Sequence, residues 1–157
     1  MMNLALVIVS YLLMEFVAWS NHKYVMHGFL WQWHKDHHIN DNQKFLPAIV
    51  EKRVLEKNDL FFLVYALPAI AFMIIGFYLD QLQLVYIALG ITLYGFTYFI
   101  IHDVIIHKRL PIQYLHKDHN FYIKAIVDAH TAHHRPKSKD DFNNYGLLLF
   151  PLRFFKK

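Results

Sequence analysis

Residues 22–38 read "HKYVMHGFLWQWHKDHH", five histidines in seventeen positions, directly after an apolar run. Two spacings are folded into this stretch. An H-x4-H box, His22 and His27, is followed by an H-x2-H-H box, His34, His37 and His38. Helical residues three and four apart share a face, so the second box projects its rings together. The first is less natural for a helix. Five residues at about 100° each set His22 and His27 roughly 140° apart on an ideal α-helix. They converge if the helix ends or bulges between them, and Gly28 is a candidate terminator; otherwise the two rings serve different metals.

The same order returns later in the chain. An apolar run leads into His102-x4-His107, and His130-x2-His133-His134 follows, as an internal duplication would leave. "HKDHH" at 34–38 is echoed by "HKDHN" at 116–120, where His116 and His119 stand apart from the boxes. There are twelve histidines and no cysteine, which excludes disulfides and thiolate sites. One H-x2-H-H box is as often surface histidine as ligand, but four boxes grouped beside apolar runs point to a metal site. Ten neutral imidazoles are too many for one tetrahedral zinc, so two ions are the economical reading. Imidazole suits zinc, copper, iron and nickel alike, so donor type alone does not select the metal.

Outward from the boxes, the chain is 56% apolar and 17% aromatic, against roughly 45–50% apolar in soluble domains. Three runs read as membrane spans, at about 4–22, 60–79 and 82–101. The last two are each about the 20 residues needed to cross the hydrocarbon core, and the short link between them predicts a tight antiparallel hairpin. The first run lacks a basic leading region and a small-residue cleavage site, so a removable signal peptide is not expected. All sixteen Lys and Arg residues lie in 23–57 and 108–157, and the histidines sort the same way. By the positive-inside rule that side is cytoplasmic and the N-terminus lies outside. The net charge of +4 is then topology rather than a nucleic-acid footprint. The expectation is an all-α multipass membrane protein, a single domain over 1–157 in the cell inner membrane, with its histidine-rich site on the cytoplasmic side.

The remaining segments are read as peripheral. "EKRVLEKND" (51–59) predicts a short helix before the second span, and Asn58-Asp59 a cap for that span's helix. Residues 110–134 are too charged to cross and are expected at the interface, with Pro111 breaking the chain and Phe121, Tyr122, Ile126 and Val127 against lipid or protein. The tail "YGLLLFPLRFFKK" suits the membrane surface. Glu15 lies in the first span seven residues before His22, on the same helical face. Carboxylates inside a membrane are usually functional, and this one is placed to accept a hydrogen bond from a ligand's outer ring nitrogen or to reach the interface. Asp36, Asp103 and Asp128 lie beside histidines, for the same part or simply solvated. Gly90 and Gly95 open a groove or allow close helix packing; Tyr98 lines a channel or packs in the core.

Taken together, "HKYVMHGFLWQWHKDHH", "EKND", "HDVIIHKR", "AHTAHH" and "YGLLLFP" resemble the membrane fatty acid hydroxylase superfamily, and within it the bacterial β-carotene hydroxylases, from about residue 22 to 151. The resemblance implies a non-haem diiron monooxygenase that hydroxylates carbon 3 of β-ionone rings, taking β-carotene through β-cryptoxanthin to zeaxanthin. It implies O2 as co-substrate, electrons from a ferredoxin-type donor, and His22, His27, His34, His37, His38, His102, His107, His130, His133 and His134 as iron ligands. His116 and His119 fall outside the pattern, and 39–56 departs from its usual short link. The rival readings are a sterol or fatty acyl hydroxylase or desaturase, a carotenoid ketolase, and a non-enzymatic membrane metal-binding or transport protein. A transporter would place its ligands nearer the midplane of the spans.

Overall fold

The computed structural model describes residues 2–43, 56–110, 112, 120–136 and 142–155. Its order is α1 (Met2–Ser20), a π-helical segment π1 (Asn21–Phe29), α2 (Trp31–Gln43), a 3-10 turn (Lys57–Phe62), α3 (Leu63–Tyr78), α4 (Leu82–Tyr98), a second π-helical segment π2 (Phe99–Ile106), α5 (Phe121–His134) and a last 3-10 turn (Leu152–Phe155). No strand occurs among the described residues.

Three helical stretches are long and apolar enough to cross a membrane: Asn3–Phe29, Lys57–Tyr78 and Leu82–Ile106. The first and third run past the boundaries expected from sequence, and the extensions carry His27 and His102. On α1, Leu4, Ile8, Leu12 and Phe16 are exposed at every fourth residue. A stripe of that spacing is one face of a helix, and its contact with lipid replaces burial against protein.

Small residues set how closely the spans approach, as helix packing in lipid requires. A Cβ on Gly90 would lie 1.9 Å from Ser10 Oγ and 2.5 Å from the Val7 carbonyl oxygen, so α1 and α4 touch backbone to backbone there. A Cβ on Gly76 would meet Val85 Cγ2 at 2.8 Å, which closes α3 on α4. The connection is as short as the sequence predicts: Asp80 takes a left-handed φ of 53°, and Gln81 N–H donates to the Gly76 carbonyl at 2.8 Å. Met14, Ala18, Ala69, Ile91 and Tyr94 fill the space between the three helices.

α5 begins where Asn120 Oδ1 accepts from the Ile123 amide at 2.9 Å, a side-chain cap. It is amphipathic in the way an interfacial helix should be, with Phe121 79% exposed and Ile126 1% exposed. The tail departs from expectation. Residues 142–150 fold back over α1 and α5, burying Leu147 beside Ile101 and Ile126, where Glu15 accepts three of the segment's backbone amides. Leu149 and Leu152 remain exposed. His116, His119, Pro111 and residues 51–55 of the expected short helix lie outside the described residues.

Candidate metal centre

The first H-x4-H box lies within π1, and the second runs from within π2 to the residue that caps it, His107. A π-helix bonds residue i to i+5 rather than i+4, so residues five apart come round to one face. His107 N–H donates to the His102 carbonyl at 3.0 Å, and Leu30 N–H to the Val25 carbonyl at 2.9 Å, each a bond of that kind. Ring centroids are therefore 5.1 Å apart for His22 and His27 and 4.5 Å for His102 and His107. Gly28 (φ −97°, ψ −120°) interrupts the helix just after the first box and lets the chain turn into α2.

Nine imidazoles form two groups, in each of which the potential ligand atoms lie within 4.8 Å of one another. His22 and His27 from π1, His34 and His38 from α2, and His133 from α5 make the first. His37 from α2, His107 at the end of π2, and His130 and His134 from α5 make the second. His102 stands against the second group, its ring 4.5 Å from His107 and 4.8 Å from His130. The H-x2-H-H boxes were expected to project their three rings together, and they divide. On an α-helix His34 and His38 are about 40° apart, while His37 lies about 100° from His38 on the other side of His34. The i, i+4 pair therefore serves one group and the third ring the other. α5 does the reverse with His130 and His134 against His133. Along the seam the His38 and His134 rings stack at 4.2 Å.

The outer nitrogens are held by the surrounding protein. His22 Nδ1 is 2.9 Å from the Tyr145 carbonyl, His34 Nδ1 2.7 Å from Asn58 Oδ1, His37 Nδ1 3.0 Å from Glu56 Oε2, and His133 Nδ1 2.6 Å from the Asn143 carbonyl. A ring that donates Nδ1–H to oxygen carries its lone pair on Nε2. Yet Nε2 faces Nε2 at 3.2 Å between His22 and His34. Two lone pairs cannot hydrogen-bond to each other, so these nitrogens are arranged for a cation between them. Further Nε2 pairs stand at 3.0 Å (His27–His133), 3.0 Å (His34–His38) and 3.1 Å (His107–His130). Two nitrogens each about 2.1 Å from one ion, at right angles to each other, lie about 3.0 Å apart. The donor set fits one transition-metal ion in each group.

Burial keeps the rings neutral, the form that binds metal. It lowers His34 to about 3 with help from neighbouring imidazoles and against the Asn58 hydrogen bond. It lowers His133 to about 4 against the bond to Asn143. His37, His38, His130 and His134 are pushed down by burial first and by like-charged neighbours second.

A charged rim closes one side. Arg109 donates to Glu56 Oε2 at 2.9 Å and to Asp59 Oδ1, and its Nε lies 3.3 Å from Asp103 Oδ1. Burial opposes the guanidinium's charge, and the three carboxylates outweigh burial to raise its pKa. Asp59 Oδ2 accepts the Glu56 N–H at 2.9 Å, which is the capping role expected of this segment, whereas Asn58 instead orients His34. Sequence reasoning missed Glu56, Arg109 and the carbonyls of Asn143 and Tyr145; "EKND" and "HKR" mark the first two only as landmarks, and backbone acceptors leave no sequence signal. Asp103 lies 3.5 Å from His102 Nδ1, and Asp36 and Asp128 are half-buried. Glu15, read from sequence as bonding a ring nitrogen or reaching the interface, does neither: it is buried, Oε2 accepts from Tyr94 OH at 2.7 Å and Oε1 from backbone amides of the tail. From the rim a cavity of about 600 Å³ runs between α3 and α4, past His102, Tyr98 and Gly95 to Ala69 and Ile91. Tyr98 stacks on His102 at 4.7 Å.

A fatty acid hydroxylase family model matches residues 7–154. The chain belongs to the fatty acid hydroxylase family. Within it, the chain is similar to the β-carotene hydroxylase of a Paracoccus species, 36% identical over 152 residues that cover 96% of this chain and 86% of the relative. It is similar also to the β-carotene hydroxylase of Pantoea ananas, 34% identical over 95% of this chain and 78% of the relative. The chloroplastic β-carotene 3-hydroxylase of Gentiana lutea is 36% identical over 88% of this chain and 40% of the relative. No solved structure matches the chain.

Proposed function

We propose that this chain is a membrane-embedded non-haem diiron monooxygenase that hydroxylates carbon 3 of β-ionone rings, converting β-carotene through β-cryptoxanthin to zeaxanthin. The observation that carries the reading is the pair of largely buried imidazole groups sharing α2 and α5, with His102 beside them lining the polar end of an apolar cavity. The names of the bacterial and plant relatives supply the substrate class.

In this reading His22, His27, His34, His38 and His133 hold one iron, and His37, His107, His130 and His134, with His102 beside them, hold the other. When bound, the iron pair supplies oxygen activation and attack on an unreactive C–H bond. One oxygen atom would enter the substrate and the other leave as water, with two electrons from a ferredoxin-type donor and two protons from solvent. The protein's own groups position and exclude. Asn58, Glu56 and the carbonyls of Asn143 and Tyr145 fix the tautomer and tilt of four rings, which sets ligand basicity. The apolar walls of the cavity take the ring and adjoining polyene from lipid and keep water from the reacting carbon. Tyr98 and Gly95 shape the passage next to His102. The partition of basic residues supports an inner-membrane placement with the N-terminus outside and the histidines facing the cytoplasm, in a single catalytic domain over 1–157.

The test is pigment chromatography of a β-carotene-producing host expressing the chain, with iron measured on the purified protein. Zeaxanthin and bound iron are expected, and both are lost in H34A and H130A. Full-length membrane protein with iron but unchanged β-carotene would defeat the assignment and favour a sterol or acyl rival, whereas a ketolated pigment without zeaxanthin would favour the ketolase.

A further inference from the structure

Among the described residues, the C-terminal segment 142–150 packs on the histidines of one group. Its carbonyls at Asn143 and Tyr145 accept from His133 and His22. Its rings pack on the same set: Phe142 lies 4.6 Å from His27, 5.4 Å from His38 and 5.8 Å from His133, and Tyr145 lies 5.2 Å from both His27 and His133. All of these histidines belong to the five-membered group. The segment has no regular hydrogen-bonding of its own between Phe142 and Pro151, so something else must fix where those two carbonyls stand.

That anchor is Glu15. It is 5% exposed, and its Oε1 accepts three successive backbone N–H groups, Leu147, Leu148 and Leu149, each at 2.9 Å. Its Oε2 is held by Tyr94 OH at 2.7 Å, which ties the carboxylate to α4. Gly146 is shaped to this contact: a Cβ there would sit 2.9 Å from Glu15 Oε1 and 2.5 Å from the Leu149 carbonyl oxygen. Asn144, left-handed at φ 62°, turns the chain between the two residues whose carbonyls meet the rings. A buried carboxylate on three amides is a strong, charge-assisted fixture, and an apolar residue in its place would leave those amides without acceptors.

We propose that Glu15 is a positioning residue for the five-histidine ion alone, acting through the C-terminal segment that it clasps and through the Tyr145 and Asn143 carbonyls that orient His22 and His133. The inference rests on the two-ion reading above. It gives the carboxylate of the first span a role in ion selectivity between two neighbouring sites, although it touches no ligand.

The experiment is titration of the purified, metal-stripped full-length protein in detergent with Fe(II) under anaerobic conditions, against a competing chelator, for wild type, E15L, E15Q and G146A. Wild type takes up two ions. Losing the partners of ligand histidines weakens metal affinity about 10–100-fold, so E15L loses that much for one ion and keeps the other at wild-type affinity. E15Q, whose amide oxygen still accepts the three N–H groups, stays close to wild type. G146A reproduces the one-ion defect from the opposite side of the contact, so the outcome does not hang on expression of one variant. Equal weakening of both ions in E15L and G146A, or of neither, overturns the proposal while leaving the two-ion site standing. A wild-type chain that takes up fewer than two ions removes the site itself, and this role with it.

Discussion

At Gly90 and Gly95, five residues apart on α4, the same residue type does two jobs. Sequence leaves groove and close packing equally open for both. The structure separates them: Gly90 sits against the Val7 carbonyl and Ser10, while Gly95 has Tyr65 Cβ at 3.8 Å as its nearest neighbour and lines the cavity. G90A is expected to destabilise the protein by at least about 1–3 kcal/mol through overpacking, read as a lower thermal midpoint in detergent. G95A should leave that midpoint at or slightly above wild type, since alanine favours the helix by about 1 kcal/mol. Its effect should fall on the cavity, as a raised KM for a bulky ring with little change in fold. A G90A protein as stable as wild type would show that α1 and α4 can separate freely. Histidines are legible in sequence because the side chain is the signal. The Asn143 and Tyr145 carbonyls that orient two of them are not, because every residue has a carbonyl and only the fold selects which one is used.

Among elements, the π-helical segments account for most of what sequence reasoning left open. A 3.6-residue period sets H-x4-H rings apart, and nothing in "HKYVMH" or "HDVIIH" announces a wider turn; the packing of four segments around one cluster decides it. The division of each H-x2-H-H box was within reach of the helical wheel, but only with two targets in view rather than one. The clamp made by Arg109 shows the same limit. It joins the entry to α3, through Glu56 and Asp59, to the end of the third span, through Asp103, and Glu56 in turn holds His37. R109A is expected to free that carboxylate and weaken iron at the four-histidine group about 10–100-fold, with turnover falling alongside. R109K should recover little, since a point-like ammonium cannot reach three carboxylates as a planar guanidinium does. Elemental analysis and single-turnover product yield on the same sample would check both. Wild-type iron content in R109A would show the clamp to be dispensable.

For the molecule as a whole, three spans and a one-sided histidine cluster follow from hydropathy and spacing, and the all-helical fold agrees. What hydropathy does not supply is the tail, whose apolar residues read equally well as membrane surface or as a buried cover. Acid sensitivity is a property of the entire cluster. His34 and His133 titrate at about 3 and about 4 in the fold, below the roughly 6.5 of an unfolded chain. The unfolded state therefore takes up protons first as pH falls, so stability is full above about pH 6.5 and declines through pH 4 and below. Metal release runs in the same direction, because protonated rings cannot bind. Melting midpoint and retained iron, measured from pH 8 to pH 4, should both be flat at the alkaline end and drop at the acid end; a midpoint independent of pH would contradict the burial that the structure gives these rings.

The imidazoles of the cluster lie at one end of the three spans, and the cavity beside them meets the cluster at His102. A long symmetrical polyene stretches about as far as the hydrocarbon layer is thick, roughly 30 Å, so its two ends rest in opposite leaflets. Only one of them can be oxidised per visit. On the proposed activity, the half-finished molecule has to depart, turn over in the bilayer and come back reversed, and its new hydroxyl resists that inversion. The lag between first and second oxidation is then set by lipid as much as by protein.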